Sequence, residues 1–288
     1  MIMADAVSPL PSRIGVLGGG RMGAGIAHAF LIKGADVLVV ERDDDAAAGA
    51  RERVESAVAQ SIQRGLPGTV ESFTARLTVT TDYADFAPCE LVVEAVPEIW
   101  DLKVSSLQGV EKHLGNDAVL ASNTSSLSMS GLASELARPH NFIGLHFFNP
   151  VPASTLIEVV IAKQTAPALV STAKGWVEAL GKTAVVVNDA PGFASSRLGV
   201  AIALEAMRMV EEGVASAEDI DNAMVLGYKH PTGPLRTTDI VGLDVRLGIA
   251  EYLAETLGER FAPPQILRDK VARGELGRKS GKGFFDWS

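Results

Sequence analysis

The chain has 288 residues, with 26 basic against 35 acidic side chains and a net charge of −9, which argues against a broad grip on nucleic acid or anionic membrane. Apolar residues make up 47% and charged residues 21%, a globular balance that excludes wholesale disorder. A single cysteine, Cys89, leaves no intrachain disulfide and points to a reducing, cytoplasmic compartment. No apolar run approaches the roughly 18 residues of a membrane span. The start, MIMADAVSPLPS, carries an early acid and no basic region, so residues 1–12 read as a loose leader.

Arg13 to Leu17 is a short β-rich run, followed at once by Gly18-Gly19-Gly20-Arg21-Met22-Gly23. Ile26 to Lys33 reads as a helix stopped by Gly34, and Asp36 to Val40 as a second strand with Glu41 at its end. A long helix is expected from Asp44 to about Gln63, broken by Gly65-Leu66-Pro67-Gly68. Further strands are expected at 77–80, 91–96, 119–122, 142–147, 157–161 and 183–187, with helices at 101–114 and 167–180. This alternation predicts an α/β fold with a doubly wound parallel sheet covered on both faces. After Asn188-Asp189-Ala190-Pro191-Gly192 the β-rich runs vanish, and 193–212, 217–226, 234–257 and 264–273 read helical. The domains expected are 13–190, α/β, and 191–288, all-α.

Gly18, Gly20 and Gly23 fit G-x-G-x-x-G: a tight turn, a close approach of backbone to a pyrophosphate, and close helix–strand contact. The glycine spacing is weak by itself. A strand before it, a helix after it and an acid ending the next strand turn it into a dinucleotide site. Glu41 accepts from ribose hydroxyls and repels a 2′-phosphate, which favours NAD; Arg42 is the competing signal for NADP.

In Gly144-Leu145-His146-Phe147-Phe148-Asn149-Pro150 a histidine sits in an apolar run near a strand end. Glu158 follows twelve positions on, at the start of the next run. If the two strands are neighbours, the carboxylate reaches the imidazole, holds one tautomer and stabilises the imidazolium. That arrangement takes a proton from an alcohol as hydride leaves its carbon. The hydroxyls of Ser122 to Ser126 can bind a substrate oxygen or cap the following helix. Neither a nucleophile elbow nor a Cys/His metal spacing is present, so acyl-serine and metal mechanisms are disfavoured, and no metal ligands are assigned.

Taken together, GGGRMGAGIA at 18–27, VEAVPE at 93–98, SNTSSL at 122–127, GLHFFNPVP at 144–152, PGF at 191–193, PTGP at 231–234, GLD at 242–244 and GRKSGKGFFDW at 277–287 make the chain resemble the L-3-hydroxyacyl-CoA dehydrogenases. The resemblance runs from Ile14 to Trp287. It implies a Rossmann-like NAD domain followed by a helical domain for substrate binding and homodimerisation. It also implies oxidation of an (S)-3-hydroxyacyl-CoA, with His146 as base or acid, Glu158 as its dyad partner, and Ser125 touching substrate and cofactor. Glu41, Glu98, Lys103 and Asn149 are implied to hold NAD, and Arg64 to assist with CoA. The family usually places a substrate-contacting Asn where this chain has Ser196, so Ser196 is the candidate substrate contact there and the substrate preference is left open; the acyl group, short or ended by a carboxylate, is not settled by the sequence. Two other readings stay open, an NAD dehydrogenase of carnitine or a sugar acid without CoA, and a catalytically silent, crystallin-like NADH binder.

Overall fold

The structure, a computed structural model, describes residues 9–287. The chain divides into two compact units, Met1–Asp189 and Ala190–Ser288. Most of the expected leader, residues 1–8, lies outside the described residues. Its remaining part is anchored rather than loose: Leu10 packs against the core, and Ser12 donates from N at 2.9 Å and from Oγ at 2.5 Å to the Glu90 carboxylate.

Among the described residues the first unit holds eight strands: β1 (Arg13–Leu17), β2 (Asp36–Val40), β3 (Leu77–Thr80), β4 (Leu91–Glu94), β5 (Val119–Ser122), β6 (Phe142–Phe147), β7 (Leu156–Ile161) and β8 (Thr183–Asn188). They form one sheet in the order β3-β2-β1-β4-β5-β6-β7-β8. The order reverses between β1 and β4, which opens a crevice at the carboxyl ends of the strands, where this class of sheet binds ligands. The helices are α1 (Arg21–Leu31), α2 (Asp44–Gln63), α3 (Val70–Thr74), α4 (Trp100–Glu111), α5 (Met129–Ser134) and α6 (Pro167–Ala179). Ile26 and Phe30 of α1, Val54 and Val58 of α2, and Trp176 of α6 share one core with Ile14, Val16, Val37 and Val39. Alternate strand positions such as Val92 and Leu120 are buried too, as are Leu107 of α4 and Leu132 of α5.

Two expectations are corrected by the structure. The sheet is not wholly parallel, because β7 runs antiparallel to β6. Their connection, 148–155, is shorter than the dozen or so residues that a parallel crossover needs, so the chain has to turn straight back. Coverage on both faces also fails at the β8 edge, where Val185 and Val186 are exposed. In addition, α1 begins at Arg21 rather than Ile26, with Gly23 inside its first turn. A Cβ on Gly23 would lie 1.7 Å from the Gly18 carbonyl oxygen, so only glycine lets the helix start this close to the strand.

The second unit contains α7 (Ser195–Glu211), α8 (Ala217–Asn222), α9 (Pro234–Val241), α10 (Leu243–Leu257) and α11 (Gln265–Ala272). The single helix expected over 234–257 is two, broken at Gly242, whose φ of 108° no helix accommodates. Val200, Leu204, Met207, Ile220, Leu235, Leu243 and Leu253 form its core. Asp239, fully buried, accepts from the amides of Phe284 and Phe285 and from Trp287 Nε1, which ties the GFFDW tail to α9.

His28 sits inside the first core, with Nε2 2.8 Å from Ser61 Oγ. Burial, reinforced by the Lys182 charge, pulls its pKa from 6.5 to about 4. The folded state therefore keeps His28 neutral where the unfolded chain protonates it. Its contribution is complete above pH 6.5 and is lost as pH falls from 6.5 towards 4, by about 3 kcal/mol in all. We expect His28→Gln, which retains a partner for Ser61, to flatten the stability profile over that window in urea titrations. An unchanged slope would remove His28 as its source.

Candidate active site

Three groups of side chains gather at the carboxyl ends of the strands in the first unit. The first surrounds the glycine turn. Gly18 has a φ of 88°, and a Cβ there would come within 3.2 Å of the Ala95 carbonyl oxygen. A Cβ on Gly20 would meet nothing within 4 Å, so the turn leaves open space in front of α1. That helix has no side-chain cap and no acid in its first turn, so its amide donors are free to meet a phosphate. Glu41 is held from both oxygens: Oε1 accepts from Gly19 N at 2.6 Å and Oε2 from Arg42 N at 3.1 Å. The Arg42 side chain turns away to Asp43 at 2.9 Å and is largely exposed. Arg53 reaches in from α2 and donates to the Gly19 carbonyl at 3.2 Å.

The second group is a buried charge network at the ends of β4 and β5. Lys103 is 1% exposed, and its ammonium has three acceptors: Glu94 at 2.7 Å, Glu98 at 3.2 Å and the Val96 carbonyl at 3.1 Å. Glu94 also accepts from Ser122 Oγ at 2.6 Å. Glu98 then gathers the SNTSS turn, accepting from Thr124 Oγ1 at 2.6 Å, Ser125 N at 2.8 Å and Ser126 N at 3.0 Å, with Ser125 Oγ at 3.3 Å. Burial works against ionisation of Glu98, but Lys103 and these donors outweigh it and hold the carboxyl below its usual range.

The third group is the histidine pair. His146 and Glu158 stand directly opposite each other across the antiparallel β6–β7 ladder. Nδ1 of His146 lies 2.8 Å from Oε2 of Glu158, and the two residues are 6% and 0% exposed. With the carboxylate ionised, a neutral imidazole donates its Nδ1 proton to Glu158. The Phe148 ring stands 4.4 Å from the imidazole.

Asn149 lies exposed in the loop after β6. Arg64, at the end of α2, joins it in the lining of a cavity of about 690 Å³ formed by α1, α2 and loop 148–155, with Arg21 and Arg53. Ser196 is placed in the first turn of α7, in the second unit.

Some participants were not singled out from the sequence. Asn123 Oδ1 accepts from Phe147 N at 2.8 Å and so pins the serine turn beside His146. Lys182 donates to the carbonyls of Val151, at 2.8 Å, and of Ser154, anchoring loop 148–155. Glu94 had a readable signal, an acid closing an apolar strand. Lys182 had none, since its partners are backbone carbonyls.

Residues 13–190 match the family described as 3-hydroxyacyl-CoA dehydrogenase, NAD binding domain, and residues 192–287 match its C-terminal domain. The chain is 40% identical over 277 residues to the probable 3-hydroxybutyryl-CoA dehydrogenase of Deinococcus radiodurans, covering 96% of this chain and 100% of that one. It is 38% identical over 290 residues to the 3-hydroxybutyryl-CoA dehydrogenase of Mycobacterium tuberculosis, covering 99% and 100%. The crystal structure of the (S)-3-hydroxybutyryl-CoA dehydrogenase of Ralstonia eutropha matches with a TM-score of 0.92 at 36% identity, covering 96% of this chain and 99% of that one. A glycine turn opening onto an uncapped helix, a buried imidazole–carboxylate pair, and likeness along nearly the whole chain converge: this protein belongs to the 3-hydroxyacyl-CoA dehydrogenase family.

Proposed function

We propose that the protein interconverts an (S)-3-hydroxyacyl-CoA and the 3-oxoacyl-CoA with NAD, using His146 and Glu158 as its proton-transfer pair. The observation that carries this reading is the buried 2.8 Å contact between Nδ1 of His146 and the Glu158 carboxylate in a chain of this family. In the oxidative direction Nε2 takes the 3-hydroxyl proton, and in the reductive direction the imidazolium returns it. Glu158 keeps Nδ1 protonated and stabilises the positive charge that His146 gains, in a site dry enough for that charge to matter. Ser125, beside Glu98, donates its hydroxyl to the substrate's 3-oxygen. When bound, NAD supplies the hydride acceptor for C3. Gly18, Gly20 and Gly23 would admit its pyrophosphate, Glu41 would take the ribose hydroxyls, and Glu98 and Asn149 would border its nicotinamide end, with the buried Lys103 holding Glu98 in place.

CoA is polyanionic while this chain is acidic overall, so local cations have to carry its recognition. Arg21, Arg53 and Arg64 around the cavity beside loop 148–155 fit that task. Ser196, in the first turn of α7, is read as a further substrate contact. The helical unit exposes Leu198 and Leu226 at 64% and 68%, with a groove of about 370 Å³ lined by Ala201, Ile202, Met209 and Met224. An apolar surface of this kind supports homodimerisation. Among the described residues no helix is long and apolar enough to cross a membrane, and the free, buried Cys89 suits a reducing cytoplasm.

The deciding assay is NADH absorbance with acetoacetyl-CoA against free 3-oxo acids; turnover of the free acids alone defeats the CoA reading. His146→Gln is expected to lower kcat by about 10³-fold or more with NADH binding retained, and Glu158→Gln by less. Wild-type turnover in His146→Gln would refute the pair. Glu41→Ala is expected to weaken NAD and narrow its advantage over NADP in kcat/KM; an unchanged ratio would overturn the ribose assignment. Leu198→Glu with Leu226→Glu is expected to shift sedimentation from dimer to monomer, and a dimer that persists would move the interface elsewhere.

A further inference from the structure

Gly19 is not one of the three glycines that the G-x-G-x-x-G spacing requires, yet both of its backbone polar groups are held by side chains from outside the turn. Glu41 Oε1 accepts from Gly19 N at 2.6 Å, and Arg53 Nη1 donates to the Gly19 carbonyl at 3.2 Å. The position is also tight against α2, since a Cβ on Gly19 would lie 2.3 Å from Ala50 Cβ. Ala50 and Arg53 share one face of α2, so the stripe of the helix that packs on the turn also bonds to it. The effect is felt at the next residue. In a trans peptide the carbonyl and the following N–H point in opposite directions. Drawing the Gly19 carbonyl towards α2 therefore turns the Gly20 N–H away from α2. Gly20 is the N-cap of α1, and the turn is open in front of it, because a Cβ there would meet nothing within 4 Å.

The sequence of α2 lets Arg53 reach the turn. Helical side chains lean towards the amino end of their helix, so the guanidinium lies over position 49, one turn earlier. That position is a glycine inside a helix, where glycine is unfavourable. A Cβ on Gly49 would stand 3.3 Å from Nη2 and 3.4 Å from Nη1 of Arg53, which would crowd the guanidinium. Neighbouring arginines are engaged elsewhere, Arg42 with Asp43 at 2.9 Å and Arg51 with Glu55 at 3.7 Å. Asp43 caps α2 by accepting from Ala46 N at 2.7 Å, which fixes the start of the helix that carries the arm.

We propose that Arg53 is a positioning residue for the cofactor: through the Gly19 carbonyl it aims the Gly20 amide at the pyrophosphate, and Gly49 is the gap that lets it do so. This rests on NAD binding at the glycine turn and gives a residue pair on α2, outside the glycine motif, a part in it.

The test is the Kd of NADH, read by its fluorescence with no thioester present, together with the melting temperature of the free protein. Wild type is compared with Arg53→Met, Arg53→Lys, Arg64→Met and Gly49→Ala. Arg53→Met is expected to weaken NADH about fivefold or more, the scale of one well-aimed hydrogen bond. Arg53→Lys keeps a donor and is expected to recover part of that loss. Arg64→Met removes an exposed charge from the same cavity, where solvent screens it, and is expected to shift Kd by less than about twofold. Gly49→Ala leaves every charge in place. It is expected to raise the melting temperature, because alanine favours the helix, and yet to weaken NADH. Opposite movements of stability and affinity are not what a merely structural role produces. An unchanged Kd in Arg53→Met overturns the proposal. So does an equal loss in Arg64→Met, which leaves only a general effect of charge, and so does a Gly49→Ala protein that binds NADH as wild type does. Failure of wild type to bind NADH would instead fell the cofactor reading, and the proposal with it.

Discussion

The antiparallel return of β7 onto β6 is the constraint on which the site depends. A short connection forbids a crossover, so the chain reverses, and the reversal sets Glu158 across from His146. Opposite residues on one face of such a ladder lie close enough for side chains to bond directly. The register is unforgiving, because a slip of one residue would send the carboxylate to the other face of the sheet. Lys182 holds the turn between the strands through two carbonyls, which fixes the loop that carries Asn149 as well as the register. Two neighbouring apolar strands thus present one titratable side chain each without loss of packing around them.

The electrostatics follow a second principle, local placement against a contrary global field. The chain carries a net charge of −9, yet it has to hold an anionic cofactor and an anionic substrate. The uncapped start of α1 and the arginines at the 690 Å³ cavity concentrate positive potential where phosphates belong. Glu94 and Glu98, which would oppose it, are tied to the buried Lys103. Their charge is spent on shaping the serine turn.

Much of this was legible in the residues. The glycine spacing, the acid closing β2 and the twelve-residue interval from His146 to Glu158 each carry chemistry that follows from residue type and strand ends. Other features were not legible, because they are settled by distant partners. The reversal at β7 depends on loop length within the sheet. The early start of α1 depends on how closely Gly23 approaches Gly18, and the break at Gly242 interrupts a pattern that stays helical on both sides. The Asn123–Phe147 bond joins segments 24 positions apart, and no local pattern encodes it.

The way Glu41 is held has a wider bearing. Its two oxygens already receive the amides of Gly19 and Arg42, so the carboxylate is fixed in place before any nucleotide arrives. Little side-chain freedom is left to lose on binding, which helps affinity. The same bonds make this acid part of the scaffold of the glycine turn. Redesigning the chain for a phosphorylated nucleotide therefore calls for a coordinated set of changes, in which new acceptors for those two amides accompany any cation introduced for the extra phosphate.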